Sequence, residues 1–376
     1  MEKVRIGIIG IGNMGTAHAK NIVSGQIEGM ELAAVADLEP QRRAWAAEFL
    51  GAQFPVFADG SQLIASDLVK SGAIDAVLIA VPHYYHPPLA IEAFRANLHV
   101  MCEKPAGVYT KQVREMNDAA AQSGKVFAMM FNQRTNSNYR KMHELVTGGS
   151  LGSIVRASWI ITDWFRTEAY YASGGWRGTW DGEGGGVLLN QCPHQLDMFQ
   201  WICGMPNRVR AFCHNGKWHN IEVEDDVTAY LEFPNGATGT FITTTGETPG
   251  TNRFEISMEK GKLINNRGDE LILHRLGASI QEYCKNSKDG FVQPECTIEK
   301  PEIKNDNPQH IGVLRSFTGR ILRGEPLIAE GYEGINGLTL SNAMHLSSWL
   351  DKTVDIPFDE DLFLAELNKR RSASKK

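Results

Sequence analysis

Six residues near the amino terminus restrict the fold more than any other stretch. Directly after the strand-like run Arg5-Ile6-Gly7-Ile8-Ile9 stands Gly10-Ile11-Gly12-Asn13-Met14-Gly15, a GxGxxG that opens a helix. Gly10 permits a tight turn, Gly12 lets the backbone approach a pyrophosphate, and Gly15 lets the helix lie close to the sheet. Phosphates would meet the free N–H groups of the helix start. Such turns also occur without a ligand, and here the context decides. Asp37 follows Gly15 by 22 residues and ends the second strand-like run, where a carboxylate can accept hydrogen bonds from both hydroxyls of an adenosine ribose. A dinucleotide is therefore expected, held by Gly10, Gly12, Asn13, Met14, Gly15 and Asp37. Asp37 would repel a 2′-phosphate and so favours NAD over NADP. Arg42 and Arg43 argue mildly the other way, unless they only form a solvated helix face.

From Val4 to Met130 short apolar runs alternate with amphipathic segments, which predicts parallel strands joined by helical crossovers. Strands are read at Arg5–Ile9, Glu31–Ala36, Val56–Phe57, Ala76–Ala80, His99–Cys102 and Val126–Met130. Helices are read at Gly15–Val23, Pro40–Phe49, Gln62–Lys70, Pro88–Ala96 and Thr110–Ser123. After about Phe131 the rhythm changes. A helix near Tyr139–Val146 precedes a glycine- and tryptophan-rich region, then a helix from about Gly186 to Trp201. Val227–Phe233, Ala237–Thr244, Arg253–Met258 and Lys262–Asn265 alternate with turns and look like antiparallel strands. Helices near Gln309–Leu322 and Glu333–Leu350 would cover one face of that sheet. The fold class is thus α/β, an N-terminal Rossmann doubly wound parallel sheet plus a C-terminal α+β domain with a large open, mostly antiparallel sheet. The boundaries are 1–130, 131–360 and a C-terminal tail at 361–376, whose basic end from Asn368 to Lys376 reads as frayed.

The 376 residues exceed what one compact core accommodates, in keeping with two domains. The net charge of -6 offers no general attraction to nucleic acid or anionic lipid. No apolar run approaches the roughly 20 residues that span a bilayer, and the first residues carry no cleavable leader pattern. The six cysteines, Cys102, Cys192, Cys203, Cys213, Cys284 and Cys296, show no CxxC spacing, so free, mostly buried thiols in a cytoplasmic protein are expected, with no bound metal.

Two segments stand where chemistry is expected. Glu103-Lys104-Pro105 follows a strand at its carboxyl end, where open α/β sheets place ligands. A lysine there is a cation beside a reacting hydroxyl or carbonyl, or else a surface salt-bridge partner. In Gly184-Gly185-Gly186-Val187-Leu188-Leu189-Asn190-Gln191-Cys192-Pro193-His194-Gln195-Leu196-Asp197, helical spacing puts Asn190 and His194 on one face with Asp197 a turn away. His194 can accept a proton near neutral pH; a core histidine paired with Asp197 is the competing reading, and Pro193 would kink the helix. Pro82-His83-Tyr84-Tyr85-His86, after another strand, suits cofactor contact or loop packing better than a metal.

Taken in order, GxGxxG, Asp37, Glu103-Lys104-Pro105 and the Gly184–His194 block resemble the glucose-fructose oxidoreductase, inositol dehydrogenase and MocA family, over nearly the full length from Arg5 to about Pro357. The resemblance implies a Rossmann domain joined to an α/β domain whose open sheet mediates homo-oligomers. It implies Lys104 and His194 around a reacting carbinol, over one face of a nicotinamide ring. Pro82, His83, His86, Glu103, Lys104, Trp176 and Arg177 would join the glycine turn at the cofactor, and Lys104, Asn132, Arg134, Trp164, Arg166, Asn190 and His194 would meet the substrate. One departure matters. Many members have aspartate where this chain has Asn190, and asparagine cannot accept a proton in a relay.

The Trp176–Trp180 and Glu183–Gly186 stretches look like the branch acting on sugars and glycosides. Four of the eight tryptophans, Trp159, Trp164, Trp176 and Trp180, fall within 22 residues, interleaved with Phe165, Arg166, Tyr170, Tyr171 and Arg177. Aromatic faces suit the C–H face of a pyranose, although each could equally be packing. The expected activity is NAD-dependent oxidation of a secondary hydroxyl of a sugar, glycoside or polyol, with C3 of a glucoside among the candidate carbons. The alternatives are a glycosidase that oxidises the sugar transiently with NAD, and a non-catalytic NAD-binding regulator.

Overall fold

The computed structural model describes residues 2–304 and 306–374. The chain forms two compact units, one from the segment up to Thr135 together with Pro308–Leu338, the other from Asn136–Asn307 and the segment from Thr339 on. The sequence boundary near 130 therefore misses a return of the chain to the first unit.

In the first unit β1 (Val4–Ile9), α1 (Asn13–Val23), β2 (Met30–Ala36), α2 (Pro40–Leu50) and β3 (Val56–Phe57) lead into two short helices, α3 (Gly60–Ile64) and α4 (Asp67–Lys70). The single helix expected at 62–70 is broken, because Ser66 caps a new turn by accepting the Val69 N–H at 3.4 Å. Then follow β4 (Ala76–Ile79), α5 (His86–Arg95), β5 (His99–Cys102), α6 (Thr110–Ser123) and β6 (Phe127–Met129). The six strands are parallel in the order β3-β2-β1-β4-β5-β6. The order reverses between β1 and β4, and ligands of open α/β sheets bind outside the strand ends at that switch point. β4 is buried throughout, as a strand covered on both faces must be.

The helix Gln309–Arg323 packs here, contrary to the expectation that it covers the second sheet. Its Val313, Leu314 and Phe317 share a core with Val4, Ile6 and Ile8. The 3.6-residue pattern shows that a helix has an apolar face, not which sheet receives it.

The second unit holds α7 (Ser137–Thr147), β7 (Ile154–Ile161), α8 (Glu168–Ala172), α9 (Pro193–Cys203), β8 (Arg208–Asn215), β9 (Glu224–Glu232), β10 (Thr238–Thr244), β11 (Asn252–Met258), β12 (Gly261–Asn266), β13 (Glu270–Leu276), β14 (Cys296–Glu299) and β15 (Val354–Asp355). Nine strands form one sheet, β14-β13-β12-β11-β7-β10-β9-β8-β15, antiparallel except for the parallel pair β7 and β10. Alternate residues such as Ala157, Trp159, Ile161, Phe241 and Phe254 point to a core shared with Leu196 and Phe199 of α9 and with Leu340 and Met344.

Three expectations need correction here. Residues 186–192 are turns, so α9 starts only at Pro193, which occupies the first helical position and kinks nothing. The segment from 361 is a helix rather than a tail, and its basic end is helical to Ser372 rather than frayed. Asp359 caps the helix Glu360–Ser372 by accepting the Asp361 and Leu362 N–H groups at 3.0 Å, Phe363 and Leu367 are buried four apart, and Arg371 pairs with Asp181 at 3.0 Å. The part of that expectation that concerns Lys375 and Lys376 lies outside the described residues. Cys102 and Cys192 are buried, Cys203 and Cys213 half-buried, and Cys284 and Cys296 exposed, so the thiols are less uniformly buried than expected.

Candidate functional site

Each unit holds a part of the predicted chemistry. In the first, Gly10 has φ +92°, and a side-chain carbon there would lie 2.4 Å from the Ala80 carbonyl oxygen. At Gly15 the same atom would stand 1.9 Å from the Gly10 carbonyl oxygen, which fixes the close approach of α1 to the turn. At Gly12 it would meet nothing within 4 Å, and Asn13 and Met14 beside it are exposed. This open, N–H-lined turn fits a pyrophosphate.

The Asp37 carboxylate accepts the Ile11 N–H at 2.6 Å and the Glu39 N–H at 2.8 Å, which holds it against the turn with lone pairs left for a ribose. Arg42 and Arg43 are not a purely solvated face. Arg42 donates to the Ile11 carbonyl at 3.0 Å, and Arg43 to those of Asp37 and Leu38 at 2.7 Å.

At the end of β5, Glu103 is buried and receives a hydrogen bond from the ring of His18 on α1 at 2.7 Å. Burial alone would raise the Glu103 carboxyl, but His18, with Lys104 and His310 nearby, holds it down at about 2. The His310 ring stands edge-on to His18 at 5.5 Å between centroids, and its own pKa is lowered by burial. Lys104 is half-buried, and its backbone N–H donates to Glu103 Oε2 at 3.2 Å.

His86 is a brace. Its two ring nitrogens face the Pro105 and Val81 carbonyls at 2.7 Å each, tying two loops together, and burial lowers its pKa. His83 is buried with its ring 6.1 Å from that of His86, and Pro82 is half-buried. Arg134 is buried and paired with Glu333, and Asn132 donates its side-chain amide to Gln309, so both belong to the interior of this unit. Among the described residues, no group of three His, Cys, Asp or Glu is placed to hold a metal.

In the second unit His194 is the second residue of α9 and half-buried, while Asp197 is fully buried and accepts the Gln200 amide at 3.1 Å. The turns before α9 are held by Glu224. Its buried carboxylate accepts the Gly186 N–H at 2.9 Å and the Leu188 N–H at 3.0 Å, with His345 at 2.9 Å. Burial opposes its ionisation, but His345 and these N–H groups outweigh it and lower its pKa. Gly186 is required, since a side-chain carbon there would lie 1.9 Å from the Glu224 carbonyl oxygen. Asn190 leaves this turn half-buried and donates its amide to the buried Glu183. Glu183 also accepts the Gly178 N–H at 2.6 Å.

Beside Asn190 runs a ladder of cations and rings. Arg166 lies 5.6 Å from the Trp164 ring and 5.1 Å from Tyr170; Arg177 lies 4.6 Å from Tyr170 and 4.4 Å from Trp176. The Tyr170 hydroxyl accepts from Arg177 at 2.9 Å and from Gln191 at 3.1 Å. This platform excludes two of the four clustered tryptophans. Trp159 is buried and stacks on Phe254 at 4.3 Å, and Trp180 is buried against His345 and Trp349. Tyr171 is also buried, its hydroxyl 2.9 Å from Thr245.

Sequence reasoning missed His18, Glu183, Gln191 and Glu224. A histidine three residues past Gly15 and an acid directly before three glycines were the available signals.

Models of two parts of one family match the chain. The oxidoreductase family with an NAD-binding Rossmann fold covers residues 4–131, and the GFO/IDH/MocA C-terminal domain covers 139–264. An inositol 2-dehydrogenase of Rubrobacter xylanophilus is 32% identical over 347 residues, spanning 91% of this chain and 90% of that protein. A D-glucoside 3-dehydrogenase of Escherichia coli is 26% identical, spanning 94% and 97%. The crystal structure of the WlbA dehydrogenase from Bordetella pertussis, in complex with NADH and UDP-GlcNAcA, superposes with TM-score 0.77 at 24% identity, covering 95% of this chain and all of that one.

Proposed function

Because the chain belongs to the GFO/IDH/MocA family of oxidoreductases with an NAD-binding Rossmann domain, we propose that it oxidises a secondary hydroxyl of a sugar, glycoside or polyol. The observation that supports this substrate class most directly is the Trp164–Arg166–Tyr170–Arg177–Trp176 ladder beside Asn190 and Gln191, an aromatic and hydrogen-bonding surface suited to a polyhydroxylated ring. The relatives named for inositol and glucoside oxidation favour the same class. NAD, when bound on the glycine turn, supplies the hydride acceptor. His194 takes the hydroxyl proton and Lys104 stabilises the developing oxyanion. Asn190, unable to accept a proton, orients a hydroxyl.

The test is absorbance at the NADH band on mixing the protein with NAD and a panel of inositols, sugars and glycosides. NADH formation with one of them is expected. Release of an aglycone without NADH would replace this reading with transient oxidation by a glycosidase, and no reaction with any of them would overturn it.

The Asp37 carboxylate beside the glycine turn supports NAD over NADP. Replacing Asp37 by serine should shift the ratio of kcat/KM values toward NADP by about tenfold or more, equivalent to roughly 1.4 kcal/mol of removed repulsion. An unchanged ratio would count against the assignment.

A homo-oligomer formed through the outer face of the second sheet is supported by a cross-strand row of Ile160, Ile242, Thr228 and Phe212, with Ile160 and Phe212 exposed. Phe212→Glu combined with Ile160→Lys should lower the mass seen by light scattering to that of a smaller species. Cytoplasmic residence is supported by the exposed free thiols Cys284 and Cys296.

A further inference from the structure

We propose that Glu183 is a positioning residue that decides which end of the Asn190 side-chain amide is offered to the substrate. The substrate part of this inference rests on the function proposed above; the orientation itself does not.

Glu183 is buried and lies against Asn190, while its other carboxylate oxygen accepts the Gly178 N–H at 2.6 Å. That second bond occupies Oε2 whatever the charge of the group, because a backbone N–H can only donate. Oε1 is the oxygen that meets the Asn190 amide. An ionised carboxylate accepts only, so it must be met by the Asn190 Nδ2–H, and the amide oxygen then points away from Glu183 as an acceptor. With a proton on Oε1 the group becomes a donor. The favoured partner is then Asn190 Oδ1, and a half-turn of the amide sends its NH2 outward as a donor. One proton on Glu183 therefore exchanges an acceptor for a donor at Asn190.

Both states are accessible near neutrality. Burial raises the Glu183 carboxyl, the Gly178 and Asn190 hydrogen bonds and the Arg177 charge lower it, and the buried Glu224 raises it, leaving it at about 7. Among the described residues, Tyr171 also faces it, and Glu183 contributes to the raised pKa of that phenol after burial and against the Thr245 hydrogen bond.

Selective 15N labelling of asparagine in the full chain gives the direct test, with the Asn190 side-chain resonances assigned by their loss in Asn190→Ala. Between pH 5.5 and 8.5 these resonances should titrate with a midpoint near 7 in the natural protein. They should stay flat, at the acid-limit position, in Glu183→Gln, whose amide accepts from Gly178 and donates to Asn190 Oδ1 as the protonated acid does. A flat response in the natural protein, or a titration that persists in Glu183→Gln, overturns the proposal.

Kinetics supply the second readout. At pH 8.5 Glu183→Gln should raise KM for the sugar about tenfold, with kcat changed far less, and KM should no longer vary with pH. If no sugar is turned over the proposed function fails, while the amide titration still decides the role of Glu183.

Discussion

Replacing His194 by alanine is expected to lower kcat by about 10²–10⁴-fold, the range over which a positioned acid–base group contributes. Lys104→Ala should cost about 10²–10³-fold, as loss of one donor to a developing oxyanion does. The dissociation constant for NAD, followed by protein fluorescence, should change by less than about threefold in His194→Ala, since that variant leaves the glycine turn and the Asp37 carboxylate held against it unaltered. These values separate chemistry from binding, because a group that acts only in the transition state lowers kcat and kcat/KM together. Retention of kcat in both variants would remove the proposed roles.

The second large effect is on stability. His18→Ala leaves the buried Glu103 carboxylate without its 2.7 Å partner, which should cost about 3 kcal/mol, as for other buried charges deprived of one hydrogen-bonding partner. The sign with pH follows from the direction of the Glu103 shift. Its carboxyl is held at about 2 in the folded chain against an ordinary value of 4.5. The stability it contributes is therefore full above the ordinary value and is lost as the pH falls through the folded one. Melting curves should show the widest gap between natural protein and variant at neutral pH, closing as the pH is lowered below about 4.5. A gap that widens on acidification would mean that His18 does not support the charged form of Glu103. His18→Asn, which keeps a donor, should recover part of the loss.

Much of the first unit was legible because its signals are local. Strand positions, the glycine turn and Asp37 follow from apolar runs and from backbone geometry that glycine alone tolerates, as at Gly10 with its positive φ. The α9 region shows the limit. Helical spacing from Gly186 to His194 reads as one helix, yet the Gly186 and Leu188 N–H groups donate to the Glu224 carboxylate, which projects from a strand 36 to 38 residues away in sequence. No local pattern carries that contact. Asn190 could be singled out as a departure from the family pattern and Glu183 stood directly before three glycines, but the sequence does not report that this carboxylate is buried against that amide. The tryptophan cluster divides on burial, which composition does not report: Trp159 and Trp180 are core, whereas Trp164 and Trp176 join the arginine ladder.

The return of Pro308–Leu338 to the first unit has a bearing on synthesis. Phe317, Leu314 and Val313 complete the apolar layer over β1, so the nucleotide-binding half cannot finish its interior when its own strands leave the ribosome. More than half of the polypeptide must be translated first, and until then that sheet exposes a bare greasy face to solvent. A gene fragment ending after residue 135 should accordingly yield insoluble material, whereas one in which residues 136–307 are replaced by a short flexible connector keeps both pieces the Rossmann half needs.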